Sequence, residues 1–354
     1  MKSKKTKNPL VKVIVGVIII AVLSLSCISF ELYKKVFKAN IKFGEDIEER
    51  YVFINSTDNF SDVVTLLSNY NLLLDTNSFR WVAEKKNYIN NIKAGKYFIN
   101  RDMNNNELIN LLRSGRQSPV KVTFNNLRSL HEVSAKLSTF LESDSLEIVN
   151  AFLDNNFLKE NGFNNNNVIS IFIPNTYEFY WNTSANKLRD RMLKEYKKFW
   201  NKSRVKKASD IKLSFQDIST LASIVEKEQN IRSDERPAIA GLYLNRVKKG
   251  MRLESDPTLI FALQDFNINR VLNKDKKVKS PYNTYLNKGI PPGPICIPSI
   301  NSIDAVLNAD KHDYIFMCAK EDFSGYHNFA KNYSQHLINA RKYQKMLNKK
   351  RILR

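Results

Sequence analysis

The longest uninterrupted apolar segment of the chain is VIVGVIIIAVLSLSCISF, at positions 13–30, which contains no charged residue. An α-helix rises about 1.5 Å per residue, so this segment spans roughly 27 Å, close to the hydrocarbon thickness of a bilayer. It is apolar on all sides, whereas a core helix of a globular domain is usually amphipathic. We therefore predict an uncleaved transmembrane helix over 13–33. A cleaved signal peptide is the alternative. However, the apolar segment is longer than the hydrophobic region of a typical signal peptide, about 7–15 residues, and no A-x-A cleavage site follows it.

The residues before this helix are basic. Lysines occupy positions 2, 4, 5, 7 and 12, and no acidic residue accompanies them. Because positive charge is retained on the cytoplasmic side, residues 1–12 are predicted to be a cytoplasmic tail. The expected localisation is therefore single-pass in the cytoplasmic (inner) membrane, with the bulk of the chain in the periplasm or outside.

The next segment alternates between strand-like and helix-like patterns. YVFI at 51–54 and GKYFI at 95–99 read as strands, and apolar residues recur at helical spacing near 63–67, 78–82 and 103–112. We predict a small α+β module over 45–116, followed by a polar, turn-rich boundary at 114–119. The module contains no cluster of residues typical of catalysis, so a packing or spacer role is favoured for it.

The remainder, 117–354, is predicted to be a mixed α+β domain with the chemistry on one helix. In QDISTLASIVEKEQN at 216–230, Asp217 is a candidate N-cap, and Ile218, Leu221, Ala222 and Val225 recur at helical spacing. Stepping about 100° per residue places Glu228 at the edge of the apolar face and turns Glu226 more toward solvent. A carboxylic acid at such an edge is partly desolvated and holds its proton more tightly, which suits a general acid.

Later segments supply candidate binding groups. Helix AIAGLYLNR at 238–246 is followed by GMRLESDPT at 250–258, in which Asp256 and Pro257 begin another helix. PYNTY at 281–285 precedes the rigid loop GIPPGPI at 289–295. Aromatic and amide side chains on such a loop suit sugar rings.

Composition narrows the choice of partner. The 354 residues contain 56 Lys and Arg against 35 Asp and Glu, a formal net charge of +21. This charge is typical of a nucleic-acid binder or of a protein at an anionic membrane or wall. The predicted topology places the basic domain outside, where nucleic acid is not expected. Three cysteines exclude a disulfide scaffold, and sequence alone does not decide whether Cys296 and Cys318 pair.

Several of these motifs occur together in a family order. LASIVEKE, LYLNR, GMRLESDPT, YNTY, GIPPGPI and the later GYHNF strongly resemble the endolytic murein transglycosylase (MltG, YceG-like) family. The upstream PNTY at 174–177 agrees in position. The resemblance covers nearly the whole chain and implies that the small module is LysM-like and that 117–354 is the catalytic domain.

The resemblance also implies an activity. Such an enzyme cleaves the β-1,4 bond between N-acetylmuramic acid and N-acetylglucosamine inside nascent peptidoglycan strands and leaves 1,6-anhydromuramoyl ends. The acid/base falls on Glu228, with Glu226 in reserve. Neither a cofactor nor a metal is expected, since the sequence shows no further metal ligands grouped with His327 and His336. Candidate substrate-binding residues are Arg246, Asp256, Thr258, Tyr282, Asn283 and Tyr285. An ion pair between Arg246 and Asp256 is the structural alternative.

The sequence also departs from the family pattern. Asn175 stands where Asp is usual, and Ile169 and Ser170 stand where an acidic residue and Gly are expected. Glu178 is nearby, but nothing in the sequence shows that it substitutes. His327 matches a late family histidine, for which a structural role is favoured.

Two other functions stay open at this level. A peptidoglycan hydrolase would use Glu228 as acid and a second carboxylate, such as Asp256, to activate water. A membrane-tethered, non-catalytic wall-binding scaffold would need neither carboxylate. Peptidoglycan glycan strands and the membrane are the expected partners, with peptidoglycan synthases as further candidates.

Overall fold

The computed structural model of the protein describes residues 9–43, 49–268 and 270–350. The predicted basic tail lies largely outside the described residues, as do positions 45–48 of the predicted module. The chain divides into two compact units, one of residues 1–120 with 179–182 and one of residues 121–178 with 183–354.

The first unit begins with a long apolar helix. Helix α1 (Pro9–Phe37) contains a segment, Leu10–Phe37, that is long and apolar enough to cross a membrane, and an 18-residue window within it has a mean hydropathy of 2.8. Its apolar side chains are exposed along most of their length rather than packed in a core. The predicted fold class, α+β with a single apolar amino-terminal helix, is confirmed.

The small module follows as β1 (Glu49–Ile54), α2 (Phe60–Asn69), α3 (Thr76–Lys85), β2 (Gly95–Asn100) and α4 (Asn105–Ser114). Strands β1 and β2 pair antiparallel from Glu49 opposite Asn100 to Ile54 opposite Gly95. Asn59 and Asn104 cap α2 and α4 through capping boxes, which satisfy backbone N–H groups at both helix starts.

The end of α1 is tied directly to this module. Asn105 donates from Nδ2 to the Lys35 carbonyl at 2.9 Å, and the buried Asn40 exchanges hydrogen bonds with the Asp75 backbone. Ile41 is 1% exposed within the module core. Because the segment after the helix is part of the packed structure, the apolar helix and the module form one continuous unit.

The second unit is mainly helical. Apart from Val120 and Phe179, which belong to the first unit, its elements are β3 (Val120–Thr123), α5 (Leu130–Ser138), α6 (Ser145–Phe152), α7 (Asn155–Asn161), β4 (Thr176–Phe179), α8 (Ala185–Phe199), α9 (Lys202–Ile211), α10 (Phe215–Glu228), α11 (Arg236–Lys248), α12 (Asp256–Leu263), α13 (Ile300–Leu307), β5 (Phe316–Ala319), β6 (His327–Ala330) and α14 (Tyr333–Lys349). β3 pairs with β4, and β5 pairs antiparallel with β6.

Helix α10 is the centre of the second unit. Helices α11, α12 and α13 pack around it, and every residue from Ile218 to Val225 is buried. The predicted helix is confirmed, but the predicted N-cap is wrong: Ser214 caps the helix, and Asp217 is the third residue of its capping box. The sequence pattern indicated one apolar face, whereas helices from later in the chain cover the other faces as well.

Candidate functional site

Glu228 is the last residue of α10, at the point where the buried helix reaches a surface pocket. Its Oε1 accepts hydrogen bonds from Ser255 Oγ at 2.5 Å and from Tyr243 Oη at 2.7 Å. Tyr243 lies on α11 and Ser255 immediately precedes α12, so three elements converge on one carboxyl group. The position of this carboxyl group is therefore fixed from two sides.

The pocket in front of Glu228 has a volume of about 310 Å³. Its lining residues come from α10, α11, the loop before α12, α12 itself, the loop after it, β5 and α14. They are Glu228, Leu242, Tyr243, Arg246, Leu253, Glu254, Asp256, Tyr285, Phe316, Met317, Tyr333 and His336. Charged and polar groups converge here beside aliphatic and aromatic side chains, as in a site for a polar ligand.

The environment of Glu228 favours its protonated form. Burial raises the pKa of Glu228 above the ordinary value of about 4.5, although the hydrogen bonds from Ser255 and Tyr243 act in the opposite direction. The negative charge of Asp256 raises the pKa further. Desolvation and a neighbouring carboxylate are the combination that turns a glutamate into a general acid.

The residue after Glu228 fixes the end of α10. Gln229 is 2% exposed, and its side chain donates to Glu235 Oε2 at 2.6 Å and accepts from the Arg232 backbone N–H at 2.9 Å. Glu235 in turn binds His327 through Nδ1 and the backbone N–H, both at 2.7 Å. Burial alone raises the pKa of Glu235, but these bonds outweigh it and hold the pKa below its usual value. His327 thus supports the helix end and does not line the pocket.

Glu226 faces a different part of the fold. Its Oε2 accepts from the Ser299 backbone N–H at 2.6 Å and from Ser302 Oγ at 2.8 Å, at the start of α13. The prediction that Glu226 points toward solvent is wrong, because α13 covers that side of α10. A carboxylate bound at a helix start has a structural role, so Glu226 is no longer a candidate acid.

Arg246 lines the pocket, but its donors are directed into the protein. Its guanidinium binds the carbonyls of Ile315, Arg252 and Leu253 at 2.7–3.1 Å. It also pairs with Glu254 Oε2 at 3.0 Å, so the predicted pair with Asp256 is replaced by one with Glu254. Arg246 is only 6% exposed. Through these bonds it connects the end of α11 to the residue before β5 and to the loop before α12.

Asp256 and Tyr285 lie together at the pocket rim. Tyr285 Oη donates to Asp256 Oδ1 at 2.6 Å. Burial and this bond raise the pKa of Tyr285, which therefore keeps its proton. Tyr282 lies outside the pocket, with its ring 4.7 Å from that of Phe261. Asp256 and Tyr285 thus join Arg246 in the pocket of Glu228, whereas Tyr282 does not.

Thr258 and Asn283 support the site from beneath. Both are fully buried. Thr258 Oγ1 donates to the Ser255 carbonyl at 2.7 Å, and Asn283 Nδ2 donates to the carbonyls of Lys276 and Val278. The expectation that they contact substrate is corrected, because neither side chain reaches the pocket. They hold the loops that carry Ser255 and Tyr285.

Sequence reasoning assigned no role to several residues of the pocket. Ser255 and Tyr243 occur within the motifs, but nothing local shows that they bind Glu228. A buried tyrosine hydroxyl requires a partner, which was the one available signal for Tyr243. Phe316, Tyr333 and His336 come from the carboxy-terminal elements, whose placement depends on long-range packing.

The upstream motif is structural. Asn175 is exposed at the start of β4, and Tyr177 Oη donates to the Ile173 carbonyl at 2.7 Å. Glu178 lies near Lys121, at 3.7 Å, and not in the pocket, so it does not replace a missing carboxylate there. Cys296 is buried and Cys318 partly buried, and neither is in a disulfide. Across 9–43, 49–268 and 270–350, no group of three His, Cys, Asp or Glu residues is placed to hold a metal ion.

The Pro/Gly loop packs against the asparagine-rich loop upstream. A Cβ atom on Gly293 would lie 2.0 Å from the Asn166 carbonyl oxygen, far inside van der Waals contact. We expect Gly293→Ala to remove most of the folded protein, because two backbone segments would have to separate. Thermal unfolding of the purified variant checks this. Gly289→Ala is the control in the same loop. A Cβ atom there meets no other atom within 4 Å, and the only strain comes from the left-handed backbone at φ 84°, so we expect a loss of stability of about 1 kcal/mol. Equal melting temperatures for the two variants would contradict the close approach.

Comparison with known proteins agrees with this geometry. The YceG-like family model matches residues 52–342. An endolytic murein transglycosylase of Bacillus subtilis (strain 168) is 29% identical over 315 residues, covering 84% of this chain and 85% of that protein. One from Streptococcus pneumoniae serotype 2 (strain D39) is 27% identical over 309 residues, covering 77% of this chain and 54% of that longer protein. A crystal structure of a YceG-like protein from Listeria monocytogenes superposes with a TM-score of 0.53 at 26% identity, covering 82% of this chain and 98% of that one.

Proposed function

Because this chain belongs to the YceG-like family, we propose that it is an endolytic lytic transglycosylase of peptidoglycan. The enclosed carboxyl group of Glu228, with its raised pKa, is the observation that carries the proposal. The name shared by the relatives, endolytic murein transglycosylase, supports murein as the substrate. The bond cleaved is the one between N-acetylmuramic acid and N-acetylglucosamine inside a strand.

One carboxyl group suffices for this reaction. Glu228 donates its proton to the glycosidic oxygen as the bond breaks, and the resulting carboxylate then accepts the proton of the muramoyl C6 hydroxyl. That hydroxyl attacks the anomeric carbon and closes the 1,6-anhydro ring, so no water enters the product. The hydroxyls of Ser255 and Tyr243, already within 2.7 Å of Oε1, stabilise the carboxylate formed midway.

Asp256 contributes charge at the rim. Its carboxylate is held by Tyr285 and lies close enough to Glu228 to raise the pKa of that residue. The same negative charge stabilises an oxocarbenium-like transition state at the anomeric carbon. Asp256 and Tyr285 are therefore the residues we assign to direct substrate contact.

A hydrolase is the second candidate, since Asp256 shares the pocket with Glu228. A hydrolase would use Asp256 to activate water and would leave reducing ends. Mass spectrometry of digested peptidoglycan separates the two reactions, because an anhydro end is lighter by one water. We expect anhydro ends, and products with reducing ends alone would refute the transglycosylase reaction.

The rate should depend on pH through Glu228. The acid must be protonated before attack, so kcat/KM falls as the pH rises through the pKa of Glu228, which burial places above 4.5. Tyr243→Phe removes a hydrogen-bond donor that stabilises the Glu228 carboxylate. The pKa of Glu228 therefore rises, and this limb of the pH profile moves to higher pH. Tyr97→Phe, whose hydroxyl binds the Lys93 carbonyl in the first unit, leaves the limb in place. A limb that stays fixed or moves to lower pH in Tyr243→Phe would exclude Glu228 as its source.

The apolar helix of the first unit supports a location at a membrane. We propose that α1 spans the bilayer once, with the amino terminus in the cytoplasm, and that the LysM-like module follows it outside. The positive charges beyond the helix then face anionic lipids and wall polymers. Peptidoglycan synthases, which make the nascent strands, are the partners that such a location favours.

A further inference from the structure

A second pocket lies directly beside the catalytic one. It has a volume of about 210 Å³ and is lined by Arg128, Lys227, Asn230, Pro257, Ile260, Phe261, Phe266 and Ile295. Lys227 immediately precedes Glu228, and Pro257 immediately follows Asp256. The end of α10 and the start of α12 therefore separate the two pockets, with the catalytic carboxylates on one side and the second pocket on the other. We call the second one the stem pocket, after the ligand proposed for it below.

The stem pocket carries two positive charges. The Arg128 guanidinium lies 3.9 Å from the centroid of the Phe266 ring, which fixes its plane. Lys227 Nζ donates to Asn126 Oδ1, a neutral partner. Within the part of the chain that the structure describes, neither cation forms an ion pair with a carboxylate.

Two neighbouring acidic side chains are already engaged elsewhere. Glu132 accepts a hydrogen bond from the Arg128 backbone N–H at 2.8 Å, and Glu226 is bound to the start of α13. Neither carboxylate is therefore positioned as a counter-ion inside the pocket. An anionic ligand group would supply the missing charge, through charge-assisted hydrogen bonds to Arg128 and Lys227.

The other wall of the stem pocket is apolar. Ile260, Phe261 and the buried Ile295 line it, and Tyr282 supports Phe261 from outside the pocket. Small apolar groups such as methyls fit against this wall. Its volume is below the roughly 300 Å³ of a typical small-molecule site, so it accepts one group of a larger substrate rather than a separate ligand.

These features match one part of murein. The sugars of the strand are uncharged, whereas the short peptide stem on each muramic acid carries free carboxylates and alanine methyl groups. We propose that the stem pocket binds the peptide stem of the muramoyl residue next to the scissile bond. Arg128 and Lys227 donate hydrogen bonds to a carboxylate of this peptide. This inference rests on the proposed function, because it requires a glycan strand across Glu228.

Stem binding would make the enzyme selective for strands that still carry peptides. Each cation contributes about a tenfold effect on kcat/KM, the usual range for a hydrogen bond to a charged group. The test compares two substrates on the full-length chain in detergent: uncrosslinked strands with intact stems, and the same strands stripped of stems by an amidase. The measured quantity is the ratio of the two kcat/KM values.

We expect the wild type to prefer stem-bearing strands by at least tenfold and the Arg128→Ala/Lys227→Ala double variant to lose this preference. Arg128→Lys, which keeps the charge, retains most of it. Lys248→Ala is the matched control, since it removes a lysine from a groove elsewhere in the unit and should behave as wild type.

Two results would overturn the proposal. The wild type could cleave both substrates equally, or the double variant could slow both by the same factor, which would make the pocket a sugar site. Failure of the proposed function looks different, because then neither substrate yields anhydro ends with any variant.

Discussion

Glu228→Gln should reduce strand cleavage by at least about 10³-fold while leaving the fold intact. Glutamine keeps the size of the side chain and accepts the hydrogen bonds from Ser255 and Tyr243, but it has no acidic proton to transfer. General acid catalysis contributes about 10²–10⁴-fold, and here one group acts in both proton transfers. Release of soluble muropeptides from purified peptidoglycan, followed over time, measures the loss.

The neighbouring glutamate provides a matched control. Glu226→Gln weakens the bonds to Ser299 and Ser302 and should lower stability by about 1 kcal/mol, with cleavage retained. Complementation of a deletion strain addresses the scaffold alternative. A non-catalytic scaffold would function equally well with Gln at 228, whereas we expect that variant to fail and Glu226→Gln to complement.

Arg246→Ala should destabilise the second unit by about 3–5 kcal/mol. The substitution leaves the carbonyl of Leu253 without its donor in a buried position and those of Ile315 and Arg252 without theirs in partly buried ones. It also releases the loop before α12, which carries Ser255, so Glu228 loses one of its two partners. Chemical denaturation measures the stability, and the cleavage rate well below the melting temperature reports the site.

Glu254→Gln separates the two functions of Arg246. The Glu254 side chain is 45% exposed, so its ion pair with Arg246 is screened by solvent and contributes less than about 1 kcal/mol. If Glu254→Gln proved as destabilising as Arg246→Ala, the ion pair rather than the carbonyl bonds would hold these elements together, contrary to our account.

Local patterns predicted the elements of the small module and the helices at 216–230 and 238–246. The small module was predicted as strand, helix, helix, strand and helix in the order found, because its strands are rich in β-branched and aromatic residues and its helices repeat apolar residues at helical spacing. The same kind of information made Glu228 a candidate, and the family resemblance assigned the acid/base role to it. It lies where the buried face of α10 ends, a position that 100° steps along one helix can find.

Long-range packing set the limits of the prediction. Glu226 is covered by α13, which begins more than seventy residues later, so no periodicity within α10 could show it. Thr258 and Asn283 have side chains suited to sugar binding, but the fold uses them to hold loops. Residue type and spacing indicate which groups lie near a site, whereas burial decides which of them reach the substrate.

Digestion of peptidoglycan in water enriched in ¹⁸O tests the central claim most directly. If the muramoyl C6 hydroxyl is the nucleophile and Glu228 the acid and base, the new ends made by the wild type are anhydro ends without ¹⁸O, and Glu228→Gln makes none. New reducing ends that carry ¹⁸O would show that water is the nucleophile. Undiminished anhydro ends from Glu228→Gln would show that another residue performs the proton transfers.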